Sequence, residues 1–247
     1  MTKPFAGLFV AGTDTDVGKT VVTAGIAAAL RERGCDLGVW KPVQSGALAH
    51  EQTSDAFCLR AWSGVEDLCE EIAPLAFSAP LTPWLAAQAE GRTLALDEVV
   101  AGGHSLMAKH DWLLVEGAGG LAVPLTQTEM MIDLAVRLNL PLLLVARAGL
   151  GTINHTLLSV WYARSRGLEV AGVILNEAAP ATATDQSIAT NAAMIERYGN
   201  VSVWGVLPYM GGAFTQQQLA ESVRAHVNVS PVESVLKKQT IKGEIQG

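Results

Sequence analysis

The sequence predicts an α/β protein, a doubly wound and mainly parallel sheet flanked by helices. Short apolar runs such as WLLV, PLLLVA and VAGVILN are uninterrupted rather than alternating, the pattern of strands covered on both faces. Longer segments between them carry apolar residues at helical spacing. Strand and helix take turns along the chain, which implies one parallel sheet in a single domain.

Gly7–Gly12 (GLFVAG) reads as the first strand, and Lys19–Arg33 as a helix closed by Gly34. Leu37–Pro42 is a second strand. Helical segments follow near Ser54–Trp62 and Pro83–Glu90, then one from Asp97 to Lys109. Asp111–Gly120 (DWLLVEGAGG) is a strand ending in a carboxylate and glycines. Met130–Leu138 is a helix, Pro141–Ala146 a strand, Thr152–Arg166 a helix and Val170–Asn176 a strand. Asp185–Tyr198 is helical, and Val201–Pro208 makes the last strand. Residues 1–228 form one catalytic domain on this reading. The polar segment from Val229 to Gly247 is expected to be a loosely attached tail.

Composition narrows the function classes. The 247 residues are 49% hydrophobic and only 17% charged, with mean hydropathy +0.28, so the chain has ample core and little that reads as disordered. A net charge of −7 argues against a nucleic-acid binder, which needs a basic face. Cys35, Cys58 and Cys69 make an odd count with no C-x-x-C pair, which suits reduced thiols in a reducing compartment. The first residues, MTKPFAGLFVAG, hold too short an apolar run for a secretory signal. The stretch PLLLVARAGLG is broken by Arg147 and two glycines and cannot span a bilayer. A cytoplasmic protein without membrane or nucleic-acid partners is expected.

The decisive stretch is AGTDTDVGKT, Ala11 to Thr20. A phosphate loop reads G-x-x-x-x-G-K-[ST]. Counting back from Gly18 puts its first glycine at position 13, which is a threonine here, with the glycine at Gly12. The strand–loop–helix context is nonetheless what such a loop requires: backbone N–H groups and the helix N-terminus for phosphate, Lys19 for the β/γ-phosphates and the Thr20 hydroxyl for Mg²⁺. The alternative is a helix start with a chance GKT.

Ligands collect beyond the carboxyl ends of the strands in sheets of this kind, and several polar residues fall there. Glu116 ends WLLVE, and a carboxylate at that place needs a cation to neutralise it. Asp55 starts a helix, where the dipole alone favours it. Lys41 follows the second strand, placed to offset charge on a transferring phosphoryl group or simply to sit in an exposed loop. Asn176 ends VAGVILN and offers the donor and acceptor that match adenine, though Asn is also a turn residue. Thr152 opens a helix, with N–H groups for a carboxylate or an ordinary N-cap. His155 reads as structural.

Together these segments resemble dethiobiotin synthetase. The matches are GTDTDVGKT, KPVQSG, TSDA, APLTPWLAAQAEG, VEGAGGLAVPL, GLGTINHT and GVILN, in that order from Phe5 to about Tyr209. The displaced first glycine belongs to that family's loop. The resemblance implies a P-loop NTPase-type fold and ATP-dependent closure of a ureido ring from 7,8-diaminononanoate (7,8-diaminopelargonate) and CO₂. By that pattern Thr20, Asp55 and Glu116 hold Mg²⁺, and Lys19 and Lys41 are catalytic cations. Asp16, Val17, Gly18, Val21, Gly117, Ala118 and Gly119 join them around the triphosphate. Asn176, Glu177, Leu207, Pro208 and Tyr209 lie near the base. Thr15 and Ser45 touch the diamine, whose carboxylate is received by Gly151, Thr152, Ile153 and Asn154 of a facing subunit, so a homodimer is implied. Asp16 stands where relatives often carry Glu, and Trp84 replaces a common histidine and is given no role.

Two other classes share such sheets. A partitioning-type ATPase switch carries a second lysine early in its phosphate loop, and no lysine occurs between Pro4 and Gly18. The tail lysines Lys237, Lys238 and Lys242 lack the apolar face of a membrane helix. Amide-forming ligases append a glutaminase domain with a cysteine nucleophile, and no cysteine here sits in a G-x-C-x-G-like elbow.

Overall fold

The computed structural model describes residues 6–180 and 187–246, with side chains through 239. In chain order the first half comprises β1 (Gly7–Gly12), α1 (Lys19–Arg31), β2 (Leu37–Trp40), β3 (Val43–Ser45), α2 (Asp55–Ser63), α3 (Cys69–Ile72), β4 (Leu75–Phe77), α4 (Pro83–Ala89), α5 (Leu96–Ala101), α6 (His104–Lys109) and β5 (Trp112–Gly120). The second half comprises α7 (Met131–Leu138), β6 (Leu142–Arg147), α8 (Thr152–Ser165), β7 (Val170–Asn176), α9 (Ile188–Gly199), β8 (Val203–Leu207), α10 (Gln216–His226) and α11 (Ser230–Gln246).

Six strands pair in the order β2-β5-β1-β6-β7-β8, each neighbouring pair parallel. Helices cover both faces, so two apolar layers form, one around Phe9, Trp40, Phe77 and Leu144, the other around Leu8, Val10, Ile26 and Leu143. Alternate residues of β1 thus feed opposite layers, which is why its sequence is apolar throughout. The chain leaves β1 first for one side of the sheet and later for the other. The switch point therefore lies at the carboxyl end of β1, between β5 and β6. A small parallel pair, β3 with β4, stands beside this crevice.

Two expectations are corrected, and a third falls partly outside the described residues. The single helix from Asp97 to Lys109 is two, α5 and α6, parted at Gly102 and Gly103. A Cβ on Gly103 would lie 2.6 Å from the Trp40 ring, so the glycines let the backbone approach the indole at the cost of helix continuity. The expected helix start at Asp185 lies outside the described residues, which omit 181–186; within them α9 covers Ile188–Gly199. The segment expected to be a loosely attached tail is instead docked from Val229 to Gln239. Val229, Val232 and Leu236 are buried in the second apolar layer, and Gln239 pairs with Gly7: the Gly7 N–H donates to Oε1 (3.2 Å) and Nε2 donates to the Gly7 carbonyl (2.6 Å). On the β6 side the ladder with β1 starts only at Phe9, so the Gln239 amide supplies the partner that no strand provides.

Candidate active site

The loop between β1 and α1 is shaped by its glycines and by a residue far along the chain. Gly18 precedes α1 with φ 89, and a Cβ there would lie 2.0 Å from Asn176 Nδ2. Asn176 is buried at the end of β7 and donates from Nδ2 to the Val17 carbonyl at 3.0 Å. Its amide thus fastens the loop from behind. The displaced Gly12 has its own reason: a Cβ there would lie 2.6 Å from the Asp14 carbonyl and 2.9 Å from Lys19 Nζ. The Lys19 ammonium passes over position 12 and donates to the Asp14 carbonyl at 3.3 Å. Arg147, at the end of β6, holds the Asp14 carboxylate at 2.5 Å.

Four side chains from four segments meet beyond this loop. The Thr20 hydroxyl lies 3.0 Å from Asp55 Oδ1 and 3.0 Å from Glu116 Oε1, and donates its one hydrogen to either. Lys41 Nζ lies 2.6 Å from Asp55 Oδ2 and 2.7 Å from Glu116 Oε1. Glu116 stands opposite Val10 in the β1–β5 ladder and is 0% exposed. A carboxylate taken that far from water costs several kcal/mol, and Lys41 is the cation that offsets it. Burial alone would lower the Lys41 pKa, but the charges and hydrogen bonds of Asp55 and Glu116 prevail and raise it. Burial likewise pushes Asp55 up, and Lys41 with Thr20 more than reverses this, leaving it lowered. Lys19 is lowered by burial and by repulsion from Lys41, against the pull of Glu116, Asp55 and Asp16.

Local structure fixes Asp55. Ser54 caps α2 by accepting from the Phe57 N–H at 3.0 Å. The buried Gln44 accepts the Ala56 N–H at 2.9 Å and donates to the Ala47 carbonyl at 2.8 Å. A residue that the helix dipole alone would explain is thereby turned toward Thr20 and Lys41. Burial first, then the Asp55 and Glu116 charges, push the nearby Cys58 thiol up to about 11, so it is no nucleophile at neutral pH.

Thr20, Lys41 and Asp55 border a cleft of about 940 Å³, with Glu116 buried behind them. Thr15, Asp16, Gly18, Lys19, Thr20 and Val21 contribute from the loop and α1, and Lys41, Ser45 and Asp55 from the side of β2, β3 and α2. Ala118 and Gly119 follow Glu116, and Asn176, Glu177, Pro208 and Tyr209 close the far end. Val17 and Leu207 are core residues behind the cleft, and Gly117 offers its carbonyl to Lys41 at 3.4 Å. Gly151, Thr152, Ile153 and Asn154 do not line this chain's cleft. Thr152 is buried, with its N–H bonded to the Gly149 carbonyl and its hydroxyl 3.4 Å from that of Thr156, so it is not a free anion donor. Asn154 is exposed on α8.

An apolar wall was missed: Trp62 and Phe214, with ring centroids 4.7 Å apart, and Leu81, Pro83, Leu85 and Val123. Trp62 follows Asp55 by two helical turns, and that spacing alone places both on one face of α2.

Among the described residues no group of three His, Cys, Asp or Glu is arranged to hold a metal. The donor set that fits a divalent ion is mixed, two carboxylates and a hydroxyl, which is the kind of set Mg²⁺ accepts beside phosphate and water. Glu116 Oε2, buried and without a hydrogen-bond partner, leaves one further oxygen for such a cation.

A parallel sheet with this loop at its switch point defines a P-loop nucleotide-binding protein. A family model described as an AAA domain matches residues 6–213. The chain is 42% identical over 235 residues to the ATP-dependent dethiobiotin synthetase BioD of Bacillus cereus (strain B4264), covering 95% of this chain and 96% of that one. It is 42% identical over 224 residues to the enzyme of the same name from Bacillus subtilis subsp. natto, covering 91% and 96%. Among solved structures, the MinC:MinD cell division complex of Aquifex aeolicus aligns with a TM-score of 0.51 at 13% identity, over 88% of this chain and 86% of that one, a likeness of fold alone. The chain belongs to the ATP-dependent dethiobiotin synthetase family.

Proposed function

We infer that the protein catalyses the ATP-dependent formation of dethiobiotin in biotin biosynthesis. The observation that carries the mechanism is the meeting of Thr20, Lys41, Asp55 and Glu116 within 3.0 Å contacts at the switch-point cleft. The substrate is 7,8-diaminononanoate with CO₂. One amine takes up CO₂ as a carbamate, the carbamate attacks the γ-phosphate of ATP, and the second amine closes the ring on the mixed anhydride with release of phosphate. Such chemistry asks a protein chiefly for positioning and for neutralisation of charge on the transferring phosphoryl group.

The loop amides and Lys19 hold the triphosphate, and Lys41 lies between it and the carbamate. Thr20, Asp55 and Glu116 hold Mg²⁺, which supplies neutralisation of the phosphate oxygens when bound. The apolar wall of Leu81, Pro83 and Leu85 suits the aliphatic chain of the diamine, with Ser45 and Thr15 near its reacting end. Asn176, Pro208 and Tyr209 flank the base.

The substrate carboxylate falls to the α8 start of a second copy, in a homodimer. The exposed Asn154, Leu158 and Trp161, at helical spacing on one face of α8, support that reading. Among the described residues no helix is long and apolar enough to cross a membrane, and three free cysteines suit a cytoplasmic location.

Phosphate release from ATP in bicarbonate buffer, measured with and without the diamine, tests the reaction. Release that requires the diamine, with dethiobiotin found by mass spectrometry, is the expected result. Diamine-independent turnover would point to a nucleotide switch instead.

A further inference from the structure

The Lys41 ammonium occupies a place that the proposed chemistry gives to something else. It touches Asp55 Oδ2 and Glu116 Oε1 at 2.6 and 2.7 Å, while Thr20 touches the other Asp55 oxygen and that same Glu116 oxygen. These are the three groups assigned to the divalent ion, so the ammonium stands among the oxygens a metal would use. Lys41 and Lys19 offset the charges of Asp55 and Glu116, with Asp16 further out, which weakens the attraction of these oxygens for a bare dication. Glu116 is buried, so screening by water at this point is weak.

Lys41 also borders the cleft that a triphosphate would enter. Its backbone is pinned, the N–H donating to the Ile72 carbonyl at 2.7 Å, but its ammonium sits at the end of four rotatable carbons and borders the open cleft. A triphosphate in that cleft offers it a new anionic partner.

We propose that Lys41 is a built-in counter-ion that keeps the divalent metal out of the site until it arrives with ATP. In the nucleotide-free protein the ammonium neutralises the two carboxylates. When the triphosphate enters, the ammonium turns to it, both carboxylates are released to the metal, and the same lysine stands where phosphoryl transfer occurs. Metal loading and the turn of Lys41 toward phosphate are then one event, and without nucleotide neither takes place. The inference rests on the assignment of the metal to Thr20, Asp55 and Glu116, and it concerns Lys41 before any turnover.

Mn²⁺ binding, followed by loss of the free-ion electron paramagnetic resonance signal, tests it directly. Wild-type protein, Lys41→Gln, Lys41→Met and the charge-conserving Lys41→Arg are titrated with Mn²⁺ alone and with a nonhydrolysable ATP analogue. Wild type and Lys41→Arg are expected to bind bare Mn²⁺ weakly, and the two uncharged variants about tenfold more tightly or better. Mn²⁺ alone then raises the melting temperature of the uncharged variants only, which also shows that they are folded. Adding Glu116→Gln to Lys41→Gln should abolish the gain. Equal affinity of wild type and both uncharged variants for bare Mn²⁺ would overturn the proposal, as would a gain that survives Glu116→Gln. Wild type that fails to take up Mn²⁺ even with the analogue would instead overturn the metal assignment.

Discussion

Glu116 and Lys41 define each other: each is buried, and their 2.7 Å contact gives each the partner of opposite charge that burial requires. Removing Lys41 takes away a preorganised cation in a site screened from water, an effect worth about 10²–10³ in kcat. Lys41→Ala is therefore expected to lower kcat by that factor with a smaller change in KM for ATP, read from steady-state phosphate release. Away from the cleft, Asp67 shows the same logic as a stability device. Burial raises its pKa, but hydrogen bonds and charge from His110 and Lys109 leave it lowered. A folded pKa below the unfolded one means that the unfolded chain binds more protons between the two values, so stability rises with pH there. The contribution is present above the ordinary aspartate value of about 3.9 and is lost as pH falls through the folded value. Acid unfolding of Asp67→Asn, followed by circular dichroism, should show a shallower loss below pH ~4 than wild type; an identical profile would exclude this role. Lys19, Thr20 and Glu116 stood out in the sequence because they open a helix or close a strand in a recognisable context, whereas Asp55 and Lys41 were ambiguous on their own and were singled out only through the family resemblance. What Asn176 does to Val17 was not readable, since the two are 159 positions apart and only the folded sheet brings them together. The bond from Arg147 to Asp14 was hidden in the same way.

Elements with strong patterns were legible, and those that depend on one neighbour were not. β1, β5, β6 and β7 are unbroken apolar runs, and their burial follows from sequence alone. α11 escaped because it presents a narrow seam to the protein. Val232 and Leu236, one helical turn apart, are fully buried, while Glu233, Lys237 and Lys238 face outward and dominate the composition. Such a helix derives its stability from docking rather than from its own propensity. Leu236→Ala is expected to cost about 2–5 kcal/mol, measured by urea unfolding, with kcat unchanged if the cleft is undisturbed. A loss well under 1 kcal/mol would restore the picture of a loosely attached tail. The break between α5 and α6 was missed for a related reason. Apolar spacing from Asp97 to Lys109 is helical throughout, and only the Trp40 ring against Gly103 shows why two glycines interrupt it.

At the scale of the whole molecule, the cleft is furnished by one chain except at the place where the substrate's carboxylate is expected. The α8 start carrying Asn154 does not line its own cleft, and its Thr152 is buried. Leu158 and Trp161 continue the exposed face at 54% and 53% exposure, and Tyr198 of the adjoining α9 is 59% exposed. Large apolar side chains left open on neighbouring helices are the mark of a surface that another protein covers. A two-fold pairing through this face would be self-complementary and would carry Asn154 of each copy toward the other's cleft. Trp161→Asp should then dissociate the assembly, as seen by light scattering after size-exclusion chromatography. The same variant should raise KM for the diamine while leaving KM for ATP nearly unchanged, because every group assigned to the triphosphate belongs to a single chain. Asn154→Ala should keep the dimer and reproduce only the diamine defect. A monomeric Trp161→Asp enzyme with ordinary affinity for the diamine would remove the need for a second copy at the site.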